Sequence, residues 1–287
     1  MSVEKCLFPV AGLGTRFLPV TKEIAKEMLP LVNKPIISYG VEEALSSGCK
    51  EIIMITGRAK RSIENYFDRS FELEDLLLKR GKTALYEKVL SISNLAEILY
   101  IRQREPLGLG HAVLCGEPVC RGEYFGVVLP DDVFINDDDP VLSQLIRVHE
   151  RLGGSVLALE QVEPENVSRY GIVAGTEIEP GIFRITDMIE KPDEPQKAPS
   201  NYAIMGRYIL SPSVFPILKE QSKGAGGEIQ LTDALRTLAK SEPVFGVVYK
   251  GKRFDCGTQK GWLSANIRLA MADPELRRVV LEAVNGR

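Results

Sequence analysis

An α/β fold, with a mostly parallel central sheet, helices on both faces and antiparallel additions, follows from three features of the sequence. Short apolar runs alternate with segments of helical period through the first half. The second half turns to closely spaced strand-like runs. The first apolar run opens directly into a loop with two glycines. Strand and helix in alternation imply parallel strands with crossover helices.

Residues 5–11 read as the first strand, 36–46 as a helix closed near Gly48, and 51–55 as the next strand. Helices follow at 61–67 and 73–79, a strand at 97–101 and a helix at 108–115. The fully apolar run 126–129 is a strand ending at Pro130-Asp131-Asp132. Asp139 as a cap and Pro140 at the first helical position open a helix over 141–152; the run Asp137-Asp138-Asp139 reads as a solvated turn. Strand-like runs at 155–160, 171–174, 182–189 and 203–210 suggest antiparallel additions around one edge. A flexible loop at 224–227, a helix at 229–238, a strand at 244–249 and helices at 259–270 and 274–284 complete the chain. With no linker or repeat in sight, one continuous domain over 1–287 is expected.

The composition is that of a globular protein: 287 residues, 44% hydrophobic and 26% charged. The net charge of −3 excludes a surface that is basic throughout, so no nucleic-acid partner is expected and any phosphate affinity must be local. No apolar run approaches membrane-spanning length and the N-terminus lacks a secretory apolar region, so no membrane partner is expected. The five scattered cysteines form no Cys-x-x-Cys and fit free thiols in a reducing cytoplasm. Two histidines make a His/Cys zinc site improbable, and without Gly-x-Ser-x-Gly a serine hydrolase is improbable too.

The most informative segment runs from Phe8 to Arg16. Gly12 and Gly14 let backbone N–H groups turn toward an anion, Thr15 adds a hydroxyl, and Arg16 adds a forked cation suited to phosphate. Lys26 supplies a second cation close by. Phe17 stands where the dinucleotide fingerprint needs its third glycine, and no Gly-Lys-Ser/Thr follows, so neither familiar phosphate loop fits. In open α/β sheets ligands sit beyond the carboxyl ends of strands. Asp131 falls there, on a short tether suited to a hard cation such as Mg2+. Asp255 is positioned to complete such a site. Glu190 suits vicinal hydroxyls, Lys191 a monophosphate, and Gln103 with Gly108 a nucleobase edge.

Together these stretches resemble the sugar-1-phosphate nucleotidyltransferase family, and within it the bacterial UTP–glucose-1-phosphate uridylyltransferases (UDP-glucose pyrophosphorylases). The resemblance is carried by residues 8–19, Lys26-Glu27-Met28-Leu29-Pro30, Pro130-Asp131-Asp132, Tyr170-Gly171, Glu190-Lys191-Pro192, 227–233 and Phe254-Asp255-Cys256-Gly257, in order along nearly the whole chain. Ala25 departs from the pattern, which more often has proline there. The resemblance implies a Rossmann-like sheet of the nucleotide-diphospho-sugar transferase type, with the nucleotide mainly on 1–135 and the sugar phosphate mainly on 155–258. It implies that Ala11, Gly12, Gly14 and Thr15 line UTP, Arg16 and Lys26 hold the triphosphate, and Gln103 and Gly108 meet the uracil. Asp131 and Asp255 would hold Mg2+, with Asp132 as the alternative to Asp131. Gly171 and Glu190 would contact glucose, and Lys191 its phosphate. The implied reaction joins UTP and glucose 1-phosphate, with a homo-oligomer, dimer or tetramer, as the assembly. Rivals are a relative using dTTP or another sugar phosphate, and a non-catalytic paralogue.

Overall fold

The computed structural model describes residues 2–135 and 139–286; Asp137 and Asp138 of the acidic run lie outside them. The strands are β1 (Lys5–Pro9), β2 (Pro30–Leu31), β3 (Lys34–Pro35), β4 (Glu51–Thr56), β5 (Glu97–Arg102), β6 (Phe125–Val128), β7 (Asp132–Ile135), β8 (Ser155–Gln161), β9 (Gly171–Glu179), β10 (Ile182–Glu190), β11 (Tyr202–Leu210), β12 (Val244–Val248) and β13 (Lys252–Asp255). The α-helices are α1 (Ile36–Ser46), α2 (Arg61–Phe67), α3 (Phe71–Lys79), α4 (Thr83–Ser93), α5 (Leu109–Cys115), α6 (Glu117–Cys120), α7 (Val141–Leu152), α8 (Val214–Glu220), α9 (Leu231–Leu238), α10 (Gln259–Ala272) and α11 (Pro274–Val284).

A continuous sheet runs in the order β5-β4-β1-β6-β11-β8-β12-β10-β9. β5, β4, β1 and β6 are parallel neighbours, as are β8 and β12. β11 runs antiparallel to β6 and β8, and β10 antiparallel to β12 and β9. The α/β class expected from the sequence is therefore observed, with the antiparallel additions on the β11-to-β9 side.

Successive side chains of a strand face opposite ways, and the two cores follow that alternation. Cys6, Phe8, Ile52 and Met54 pack on one face with Val41 of α1, Phe67 of α2 and Leu145 of α7. Leu7, Ile53 and Ile55 pack on the other with Val113 of α5, Phe215 of α8 and Leu235 of α9. A third, smaller cluster joins Phe17, Leu29, Leu31, Val133, Phe254 and Ala265. It fastens the glycine-loop segment, the β7–β13 ribbon and α10 to one another.

Several elements differ from the sequence reading. α4 was not foreseen; none of its residues is buried, and Ile92 packs against the edge of the first core. The β7–β13 ribbon was also missed, because its short strands pair across more than a hundred residues, Asp132 opposite Asp255. α9 starts at Leu231 rather than Ile229. Ile229 is drawn off instead, donating its N–H to Leu107 O (2.7 Å) and accepting from Gly110 N–H (2.8 Å). α7 starts at Val141 with Pro140 before it, and the Asp139 carboxylate binds Arg147.

Arg207 of β11 is fully buried and holds the turn after β6 in place. Its guanidinium bonds both carboxylate oxygens of Glu43 and donates to the carbonyls of Leu129, Gly206 and Asp132. Removing one partner of a buried pair strands the other charge. Arg207→Met is expected to destabilise the protein by about 3–5 kcal/mol in urea titration.

Candidate active site

The glycine loop follows β1 and closes as a short 3-10 turn, Thr15–Phe17. Gly14 has φ +66°, a conformation that L side chains rarely adopt, and a Cβ there would meet Lys26 Cβ at 3.2 Å. Lys26 thus passes close beneath the loop, its Cε 3.9 Å from where a Cβ of Gly12 would lie. Thr21 Oγ1 donates to Gly14 O (2.7 Å) and fixes the loop from below. Arg16 is exposed to the cleft, and its carbonyl accepts from Gln259 of α10 (3.3 Å).

Two lobes of about 650 and 390 Å3 open along the carboxyl ends of these strands. The first is lined by Ala11, Gly12, Gly14, Thr15, Lys26, Gln103, Gly108 and Gly257. The second is lined by Asp132, Gly171, Glu190, Thr232, Arg253 and Asp255. Arg16, Asp131 and Lys191 border both. Every site residue expected from the sequence therefore lines one shared cleft.

Asp131 stands at the junction, ion-paired to Lys26. Burial pushes its carboxyl up, but the Lys26 charge and hydrogen bond, with Arg16 adding to them, outweigh that and hold it below its ordinary value. Asp132 is engaged elsewhere: Oδ1 accepts from Arg253 Nε (2.7 Å) and Oδ2 from Gly206 N–H (3.0 Å). Burial raises its pKa, and the Asp131 and Asp255 charges act in the same direction against the Arg253 pairing. Asp255 ends β13, and its Oδ2 accepts from Arg169 (3.2 Å). A Cβ on Gly257 would lie 2.7 Å from Asp131 Oδ2 and 3.1 Å from Asp255 Oδ1. The two carboxylates thus flank a small space that only glycine leaves open. Among the described residues no cluster of three or more His, Cys, Asp or Glu is arranged to hold a metal. A Mg2+ ion bound through one or two carboxylates plus substrate phosphates needs none.

In the second lobe, Gly171 sits opposite Glu190 in the β9–β10 register. A Cβ on Gly171 would come within 2.8 Å of Thr232 Oγ1 and 3.1 Å of Glu190 Oε2. Thr232 donates to Glu190 Oε2 (2.6 Å), and Lys191 Nζ lies 3.1 Å from Glu190 Oε1. At the other end, Gln103 Nε2 lies 3.2 Å from Gly108 O and 2.9 Å from His111 Nδ1.

Sequence reasoning did not single out Arg169, Arg253, Thr232 or His111. Arg169 precedes the recognised Tyr170-Gly171, and Thr232 lies inside 227–233, so neighbourhood was the available signal. Arg253 directly precedes the recognised Phe254-Asp255 and His111 lies three residues after Gly108, so the same signal was present there.

Such a cleft, with cations from a glycine loop and a strand end facing two carboxylates, fits a class of protein that handles phosphate esters. The chain belongs to the nucleotidyl transferase family, whose model matches residues 9–271. It is 48% identical to the UTP–glucose-1-phosphate uridylyltransferase YngB of Bacillus subtilis, over 97% of this chain and 93% of that protein. It is 47% identical to the UTP–glucose-1-phosphate uridylyltransferase of Pseudomonas aeruginosa, over 92% of this chain and 94% of that one. A UDP-glucose pyrophosphorylase solved with UDP-glucose superposes with a TM-score of 0.86, at 45% identity and over 95% of this chain and all of that one. The UTP-bound enzyme of Acinetobacter baumannii gives 0.88 at 37% identity, over 98% of this chain and 99% of its own.

Behind Lys26 lies a second, buried ion pair: Lys60 Nζ donates to Glu27 Oε2 (2.7 Å), with Lys60 5% and Glu27 0% exposed in their side chains. Burial raises the Glu27 pKa and lowers that of Lys60, while their mutual attraction works against both shifts. Among the described residues Glu27 Oε1 has no hydrogen-bond partner. Lys60→Ala is expected to cost about 3 kcal/mol in chemical denaturation, because Glu27 is left buried and unpaired.

Proposed function

We propose that this nucleotidyltransferase moves a uridylyl group from UTP to glucose 1-phosphate, giving UDP-glucose and pyrophosphate. The observation that carries the reading is the junction at Arg16, Asp131 and Lys191, where a lobe suited to a nucleotide meets a lobe suited to a sugar phosphate. The names of the close relatives support it, as do the two ligands, UDP-glucose and UTP, bound in the similar structures.

In this reading Ala11, Gly12, Gly14 and Thr15 line the nucleotide, Arg16 and Lys26 hold the triphosphate, and Gln103 and Gly108 face the uracil. Gly171 leaves room for glucose, Glu190 accepts from its hydroxyls, and Lys191 holds its phosphate. A phosphate oxygen of glucose 1-phosphate attacks the α-phosphorus in line and pyrophosphate departs. That oxygen is already anionic, so no general base is required. The histidines fit this: His149 binds Gly154 O and His111 binds Gln103, and neither lines the cleft. The residues' task is to gather two anions that repel and to offset the charge that spreads in the transition state. Mg2+, held by Asp131 and Asp255, would supply further positive charge to the phosphate oxygens when bound. The five free thiols and the apolar Val279, Leu281 and Val284 exposed on α11 support a cytoplasmic homo-oligomer.

Purified protein given UTP, glucose 1-phosphate and Mg2+ is expected to form UDP-glucose, to stop on chelation and to resume when Mg2+ is restored; no product under these conditions sinks the reading. Lys191→Ala is expected to lower kcat about 100-fold or more, roughly 3 kcal/mol of lost charge stabilisation. UTP affinity, measured by calorimetry, should stay largely intact, whereas unchanged steady-state turnover would remove Lys191 from the mechanism.

A further inference from the structure

The base end of the cleft holds a side-chain pair whose chemistry concerns which nucleotide is accepted. Gln103 is largely buried yet lines the nucleotide lobe. Its amide nitrogen carries two hydrogens, and both are directed. One points to the Gly108 carbonyl at 3.2 Å and the other to His111 Nδ1 at 2.9 Å. A carbonyl only accepts, so the nitrogen of the amide, not its oxygen, must face Gly108. His111 Nδ1 then accepts as well, and the ring proton resides on Nε2. With both N–H groups engaged, Gln103 presents only its oxygen, a pure acceptor.

The backbone around the pair is held firmly. Gly108 has φ +99°, and a Cβ there would strike Glu228 Cβ at 2.7 Å and Ile229 O at 2.9 Å. Ile229 clamps the same loop through its bonds to Leu107 and Gly110. The Gly108 carbonyl itself accepts the Ala112 N–H (3.1 Å) in the first turn of α5, which keeps it facing the amide.

We propose that His111 is a positioning residue for base discrimination: with Gly108 it locks the Gln103 amide oxygen toward the base, so the cleft accepts a pyrimidine with an N3–H donor and rejects one with an N3 lone pair. Uracil has the donor and cytosine the lone pair, which would face the amide oxygen acceptor to acceptor. A site built to hydrogen-bond one pattern rejects the other because its polar groups are left unpaired. This inference rests on the uridylyl-transfer reading above and goes further by assigning the base selectivity to a residue that does not line the cleft.

Calorimetric titration of UTP and of CTP into the full-length protein with Mg2+, beside UDP-glucose formation, tests it. The wild type should prefer UTP. His111→Leu should reduce that preference about tenfold, the scale of one lost hydrogen bond, mainly through weaker UTP binding and a raised KM rather than a lowered kcat. His111→Asn, whose Oδ1 can stand in for Nδ1 as acceptor, should restore it. His111→Ala makes the same comparison if the leucine variant does not fold. Equal loss of both nucleotides in the truncated variant, no rescue by asparagine, or a wild type that binds UTP and CTP alike would each overturn the proposal. A wild type that discriminates but forms no UDP-glucose would sink the catalytic reading and leave this inference standing.

Discussion

The ion pair between Lys26 and Asp131 is the constraint around which the cleft is built. Binding two polyanions demands concentrated positive charge, and such charge repels itself when no ligand is bound. The fold offsets four of the cleft's cations with carboxylates: Lys26 with Asp131, Lys191 with Glu190, Arg169 with Asp255 and Arg253 with Asp132. Depth grades these pairs. Lys191 and Arg169 are half exposed, and pairs of that kind are worth about 0–1 kcal/mol, so they can open at little cost. Lys60–Glu27 and Arg207–Glu43 lie buried behind them, where losing a partner is severe. The front of the site can exchange partners because the back cannot.

That rigidity reaches Asp131 through backbone rather than side chain. Arg207 grips the carbonyls on either side of the turn, and the β7–β13 ribbon carries Asp255 to the same place. The small third core then ties ribbon to loop. Trp262 of α10 packs edge-on against Phe17 and donates its indole N–H to Pro30 O (3.0 Å). Thr258 caps α10 by accepting from Gly261 N–H, so the helix that braces the glycine loop starts just after Asp255. Segments separated by about the whole chain length thereby form one wall of the cleft.

How much of this was legible in the sequence depended on the range of the interaction. The buried strands β1, β4 and β6 and helices α1, α2 and α7 announce themselves through local apolar period, and their bounds lie close to those expected. The glycine loop, Lys26 and Asp131 were legible from their own chemistry, and Gln103, Gly171, Glu190, Lys191 and Asp255 through the family resemblance, whereas Thr232 and Arg253, which line the same cleft, were not singled out. The ribbon, the early break at Ile229 and the service of Asp132 to Arg253 depend on partners far along the chain, which no local pattern encodes. α4 was missed although Leu85, Val89 and Ile92 stand at helical spacing, and it lies at the surface with only Ile92 of these packed against the first core. His111 read as a bare histidine, and only its distance to Gln103 gives it a task.

One feature of the backbone explains how a strand end can serve two ligand groups at once. In an extended strand consecutive side chains point to opposite faces, so Glu190 and Lys191 should not both reach one cavity. Both line the second lobe nonetheless. Lys191 has φ +43°, in the left-handed region that non-glycine residues seldom occupy and that costs of order 1–3 kcal/mol. That turn breaks the alternation just past the end of β10 and brings the ammonium to the same side as the carboxylate. The Lys191 N–H bond to Tyr170 O (3.0 Å) and the pairing of Glu190 with Gly171 hold the chain in this conformation. Pro192, with its own φ fixed, carries the chain away from the site. Strain at this position is what lets adjacent residues face one cavity.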